Sequence, residues 1–228
     1  MHVLRFLLAV SLLPFSVAVS LSCSDIFMRM SFVGSAQTIW ESSAVLAGAV
    51  VFLVAWMVLP RPVRLYVLGH ELTHALWGLL FGARPSNLKV GLRGGSVMLS
   101  KSNWVITLAP YFFPFYTVLV VVAALVTRCF VSPLPATGCW LFLVGLTWCF
   151  HACFTIQSLL QKQPDIEESG YLFSYVCIWI LNLVGAMLWL ISTSEVSFAF
   201  AGRSLVERTT TSYLVVYESL RSLSLLWR

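Results

Sequence analysis

Two histidines four residues apart, with a glutamate beside the first, make the most chemically loaded stretch of the chain: Leu68-Gly69-His70-Glu71-Leu72-Thr73-His74-Ala75. On a helix this spacing sets both imidazoles on one face, one turn apart, where they reach a single zinc ion. Glu71 then stands beside the metal's open position, placed to take a proton from water there. Zinc acidifies that water to a pKa of about 7, so one carboxylate suffices as base. The chemistry implied is hydrolysis. The chain has only four histidines, and its own residue frequencies put a chance match to His-Glu-x-x-His on the order of a few in a thousand.

A catalytic zinc usually takes three protein ligands and keeps one position open. The candidates for the third are Asp165, Glu167, Glu168 and His151. Asp165 follows Pro164 at the mouth of the last apolar segment, where an acid can dip to the depth of His74. Glu167 and Glu168 read as a solvated loop. His151, set between Cys149 and Cys153 in an apolar run, is the runner-up ligand and otherwise a hydrogen-bonded structural histidine.

These residues sit in a chain of 228, of which 59% is hydrophobic and only 10% charged. Soluble domains carry about 25% charged residues, so the composition is that of a membrane protein. Five segments approach the roughly 20 apolar residues of a spanning helix: 44–59, 63–83, 104–127, 138–160 and 171–192. A sixth, 6–22, is shorter and interrupted by Pro14; it reads as a retained helix, with a signal sequence as the alternative. Pro60-Arg61-Pro62 makes a tight turn between the first two. The expected fold is an all-α integral membrane bundle of five or six transmembrane helices, forming one folded unit. Its parts are an N-terminal hydrophobic segment (1–43), an embedded core (44–192) and a tail (193–228) whose basic residues, Tyr213, Tyr217 and Trp227 suit a helix lying in the interface. An ionisable side chain near the middle of a span costs about 2.5–3.5 kcal/mol, so three within 70–74 call for a compensating partner. A divalent cation is one.

The net charge is +5, with 14 basic residues scattered over short connections. That pattern serves topology and headgroup contact, not nucleic-acid binding. The six cysteines form no CxxC pair; Cys129 and Cys139 flank one connection and would pair only in an oxidising compartment.

Between the motif and the next span, Asn87 to Ser100 alternates apolar residues around Gly94-Gly95, a strand–turn–strand signal. A short sheet at the membrane edge offers unpaired backbone to an extended peptide. Val90, Gly94, Gly95 and Val97 are therefore candidate substrate contacts, the alternative being a plain connecting loop. Asn103 reads first as a helix cap and second as a substrate contact.

The run Gly69-His70-Glu71-Leu72-Thr73-His74-Ala75-Leu76-Trp77-Gly78-Leu79-Leu80-Phe81-Gly82-Ala83 resembles the zinc-binding span of the site-2 proteases, the intramembrane zinc metalloproteases. The Gly94-Gly95 hairpin and the Leu108-Ala109-Pro110 segment are similar too, and the resemblance covers about residues 44–190. It implies one zinc ion per chain, a third ligand from an aspartate on a later span, and a transmembrane protein as substrate. The matching position is Asp165 in Gln163-Pro164-Asp165-Ile166. The family's following glycine and its Asn-x-x-Pro are absent, and Gln157 stands eight residues earlier as a further candidate substrate contact. With no room for a PDZ insert, the chain is most similar to compact bacterial members.

The function expected is hydrolysis of peptide bonds in or near transmembrane segments, by a multi-pass protein of a prokaryotic plasma membrane with its site toward the cytosol. The rivals are an inactive relative that binds transmembrane helices and a metal-handling membrane protein.

Overall fold

The computed structural model describes residues 2–30, 36–131 and 136–226. In chain order it contains α1 (His2–Arg29), α2 (Ala36–Val58), α3 (Val63–Leu80), β1 (Pro85–Gly91), β2 (Gly94–Leu99), α4 (Trp104–Phe112), α5 (Phe115–Phe130), α6 (Thr137–Leu159), α7 (Pro164–Ser169), α8 (Tyr171–Thr193) and α9 (Phe198–Leu226). Trp227 lies outside the described residues.

Among the described residues, four helices are long and apolar enough to cross a membrane: those at Val3–Arg29, Trp40–Val58, Thr137–Leu159 and Tyr171–Thr193. They carry exposed Phe6, Leu7, Val50 and Val54 on their outer faces, a surface that water would penalise and acyl chains would not. The chain is predominantly helical, with an architecture consistent with a multi-pass membrane protein.

The structure corrects the span count in two places. Residues 104–127 are not one helix: α4 and α5 meet at a 75° bend, and counting that pair as one span brings the total to five. Pro114 is the cause, since it lacks an N–H and pushes the preceding residue out of the helical region; Phe113 is extended, at φ −102° and ψ 106°. Segment 63–83 is a helix only over Val63–Leu80, and it is not among the apolar spans. Arg64, His70, Glu71, Thr73 and His74 dilute its hydropathy. At the N-terminus, α1 runs without interruption through Pro14.

Two compact units form, one of Met1–Phe32 with Ile166–Arg228 and the other of Val33–Asp165. In the first, α1 packs against α8 and α9 around Val19, Ile26, Val176, Ile180 and Met187. α9 runs back along α1, tied by Tyr213 to the Ser11 carbonyl at 2.7 Å and by Arg208 to Asp25.

In the second unit, α2 and α6 cross closely. A Cβ on Gly48 would strike the carbonyl of Phe142, and one on Gly145 that of Val45. Small residues permit this backbone approach where no hydrophobic effect drives helices together. Phe52, Phe150 and Phe154 fill the neighbouring core, with Trp56, Tyr66 and Tyr116 packed on it. Just beyond the C-cap of α3, Gly82 takes a φ of +72° that suits glycine, and Ala83 N–H returns to the Gly78 carbonyl at 2.8 Å.

The expected hairpin is present, antiparallel and closed by the pair Gly91↔Gly94. Its turn is Leu92-Arg93, not Gly94-Gly95. Gly94 follows the turn at φ +134°, while Gly95 serves a close approach described below. A bulge lies between Ser86 and Lys89, with Asn87 at φ 51°. Cys129 and Cys139 are free thiols, both exposed.

Candidate metal centre

α3 supplies three of the four chemical groups from two consecutive turns. The Nε2 atoms of His70 and His74 stand 3.2 Å apart. Asp165, in the first turn of α7, brings Oδ2 to 3.4 Å from His70 Nε2 and 3.5 Å from His74 Nε2. Among the described residues these three are the one group of histidine, cysteine and acid side chains able to hold a metal ion. At zinc–ligand distances of about 2.0–2.2 Å, neighbouring ligands of a tetrahedral site lie about 3.3–3.5 Å apart. The triangle's edges of 3.2, 3.4 and 3.5 Å come close to those of that site.

Hydrogen bonding fixes which atoms face the centre. His74 Nδ1 donates to the Ile106 carbonyl at 2.9 Å, which leaves the lone pair of the neutral ring on Nε2. The Tyr66 hydroxyl lies 3.3 Å from His70 Nδ1 and 2.6 Å from Ser158 Oγ, holding the second ring from the rear. Tyr111, wholly buried, donates to Asp165 Oδ2 at 3.0 Å. Burial raises the Asp165 carboxyl, but hydrogen bonds from His70 and His74 outweigh it and hold the group well below the usual carboxylate range. The cluster thus favours positive charge, which a metal ion would supply at the imidazole lone pairs.

Glu71 is not a member of the triangle. It is 7% exposed and faces β2, close to the backbone of Val97. Val97 stands opposite the bulge in β1, at the one place where the ladder is irregular. Gly95 explains how the strand comes so near. A Cβ there would lie 2.6 Å from Val67 Cγ1, 2.7 Å from the Lys89 carbonyl and 2.8 Å from Glu71 Cγ.

Of the other candidates, Val90 pairs with Gly95 and is exposed, as is Gly94. Asn103 is the N-cap of α4, its Oδ1 accepting from Val105 N–H at 2.9 Å and Ile106 N–H at 3.0 Å. That bonding commits Oδ1 to the cap. Gln157 lies on α6, its buried Oε1 without a hydrogen-bond partner. His151 is outside the metal group; it lines a cavity of ≈ 20 Å³, about one water, with Tyr66, His70 and Tyr116. Glu167 and Glu168 are exposed on α7 and also outside the group.

Tyr66, Tyr111 and Ser158 escaped the sequence reading. Tyr66 alone left a signal, being four residues before His70 and so on the same helix face.

Comparison of the chain with protein-family models, with curated proteins and with solved structures finds no match.

Proposed function

We propose that the chain is a zinc-dependent endopeptidase that cuts peptide bonds within or beside transmembrane segments of other proteins. One observation carries this reading: two imidazoles and a carboxylate converge at zinc spacing, and a second acid, Glu71, adjoins them without joining them. A bound zinc would supply a Lewis acid that polarises a carbonyl and acidifies water.

The chain's own residues would do the rest. His70, His74 and Asp165 hold the ion. Glu71, close to Val97, accepts a proton from the attacking water and returns it to the leaving amine. Tyr111 and the Ile106 carbonyl orient the ligands from behind, which keeps their lone pairs aimed at one point. The hairpin edge receives the unwound substrate as an added strand, with Val90 and Val97 as its contacts. The apolar helices support a substrate drawn from the bilayer, and the resemblance at 69–83 supports a site-2-protease-like enzyme of a prokaryotic plasma membrane.

The test is a comparison of membrane proteomes from cells carrying the wild-type chain and a Glu71→Gln trap. The variant should retain zinc and accumulate uncut single-span proteins. Equal cleavage by the two would sink the hydrolytic mechanism.

A further inference from the structure

A second polar site lies in the unit formed by Met1–Phe32 and Ile166–Arg228. An open cavity of ≈ 700 Å³ is lined there by Asp25, Arg29, Glu195, Ser197, Arg203 and Arg208. It sits where two candidate spans end, Val3–Arg29 and Tyr171–Thr193. In a spanning helix that is the level where acyl chains give way to headgroups.

The charges around the cavity are not all spent on one another. Arg208 forks onto Asp25, with Nε to Oδ2 at 2.8 Å and Nη2 to Oδ1 at 2.7 Å. Ser204 adds a third bond to Oδ2 at 2.7 Å and meets Ser22 at 3.0 Å. Asp25 is thereby neutralised and cannot serve the remaining cations. Arg29 lies over the Phe200 ring at 4.7 Å, a contact that holds its guanidinium in place while leaving the N–H donors unused. Neither Arg29 nor Arg203 has a carboxylate partner among the described residues. Both are exposed to the cavity, with Glu195 the one carboxylate there not already paired.

Two planar guanidinia with free donors on one polar cavity present the fork geometry that matches phosphate oxygens. Placement at the end of apolar helices is also where basic pockets collect lipid headgroups. We propose that this cavity binds a phosphate group between Arg29 and Arg203, carried by a phospholipid headgroup or free in solution. Occupied, it joins the end of α1 to the start of α9 through a shared anion, beside the Asp25–Arg208 pair that already links them.

The full chain, purified in a neutral detergent, is titrated with micelles of the same detergent containing dioleoylphosphatidylglycerol. Bound lipid is counted by native mass spectrometry. Parallel titrations use dioleoylglycerol, which lacks the phosphate, and inorganic phosphate as competitor. Wild type should retain one phospholipid that dioleoylglycerol does not replace. Arg29→Gln with Arg203→Gln should weaken retention about tenfold or more, whereas Arg221→Gln, on the far part of α9 beside Glu218, should change it less than twofold. Displacement of the lipid by inorganic phosphate identifies a site open to free phosphate; resistance to it identifies the headgroup as the source. If the double variant fails to fold, Arg203→Gln alone carries the test, since Arg203 is exposed and outside the Asp25 network. Retention unchanged by these substitutions, or equal retention of dioleoylglycerol, overturns the proposal.

Discussion

Replacing Gly95 by alanine tests how the hairpin serves the acid it touches. The added methyl would meet Val67 Cγ1 at 2.6 Å, the Lys89 carbonyl at 2.7 Å and Glu71 Cγ at 2.8 Å, whereas ordinary contact begins at 3.4 Å. The strand must therefore retreat by about 0.6–0.8 Å, or Glu71 must yield by a similar amount. Overpacking of this kind costs about 1–3 kcal/mol of stability. Its catalytic effect follows from position: a misplacement near 1 Å costs on the order of 100-fold in rate. None of His70, His74 and Asp165 supplies one of the three atoms nearest the new methyl, so the metal group should survive. The prediction is a Gly95→Ala protein with wild-type zinc content by elemental analysis and kcat lower by about 10- to 100-fold, read on a substrate captured by the Glu71→Gln trap. Gly185→Ala, where a Cβ meets nothing within 4 Å, is the control and should cleave normally. A zinc-loaded Gly95→Ala enzyme with unaltered kcat would refute the argument that β2 positions Glu71.

Purified protein should carry about one zinc per chain, by the stoichiometry of a catalytic site; His70→Ala and His74→Ala should lose it, and Asp165→Ala should both weaken retention and abolish cleavage. In the same elemental assay Glu167→Ala, Glu168→Ala and His151→Ala should keep their metal, and loss in His151→Ala with retention in Asp165→Ala would transfer the third ligand to His151. Tyr111→Phe removes the donor to Asp165 Oδ2 and should lower zinc affinity by about 10- to 100-fold, as measured by chelator competition. Proline at Val90 or Val97 deletes a strand donor and should depress cleavage of many substrates alike while leaving zinc in place. Val90→Pro is the cleaner of the two, because Val97 also lies close to Glu71; near-wild-type cleavage in both would leave the hairpin a simple loop.

The readable parts of the chain are those whose meaning lies in local spacing. His70, Glu71 and His74 are neighbours on one helix by periodicity alone, and Asp165 could be singled out because acids are scarce and Pro164 places it at a helix entrance. Tyr111 and Ser158 could not be found that way, since each matters only through packing between helices far apart in the chain. The two glycines of the hairpin look alike in sequence but answer to different constraints. Gly94 takes a positive φ after the turn, and Gly95 is small because Val67 and Glu71 lie beneath it. Apolar continuity hid the break at Pro114, although the proline was in view; a hydropathy count does not register a missing N–H. The grouping of α1 with α9 includes Asp25 meeting Arg208 across 183 positions, a pairing no composition shift announces.

The arrangement around Glu71 bears on the choice between hydrolysis and metal handling. A site that only stored or moved zinc would need the triangle of His70, His74 and Asp165 and further ligands along a path. Among the described residues no second such group exists. It would have no use for a buried acid beside the triangle that contributes no ligand atom to it. Yet β2 is built close against that acid: Gly95 gives up a side chain so the strand can approach Glu71 and Val67. Burying an ionisable group costs stability unless it is hydrogen-bonded, and a storage site would shed such a cost by carrying an apolar residue at 71. The sharpest discriminator is therefore Glu71→Leu. It should keep zinc and gain thermal stability while losing all cleavage, the exchange expected when a destabilising residue is retained for catalysis. A protein that loses zinc on that substitution would place Glu71 among the ligands and remove the base from the mechanism.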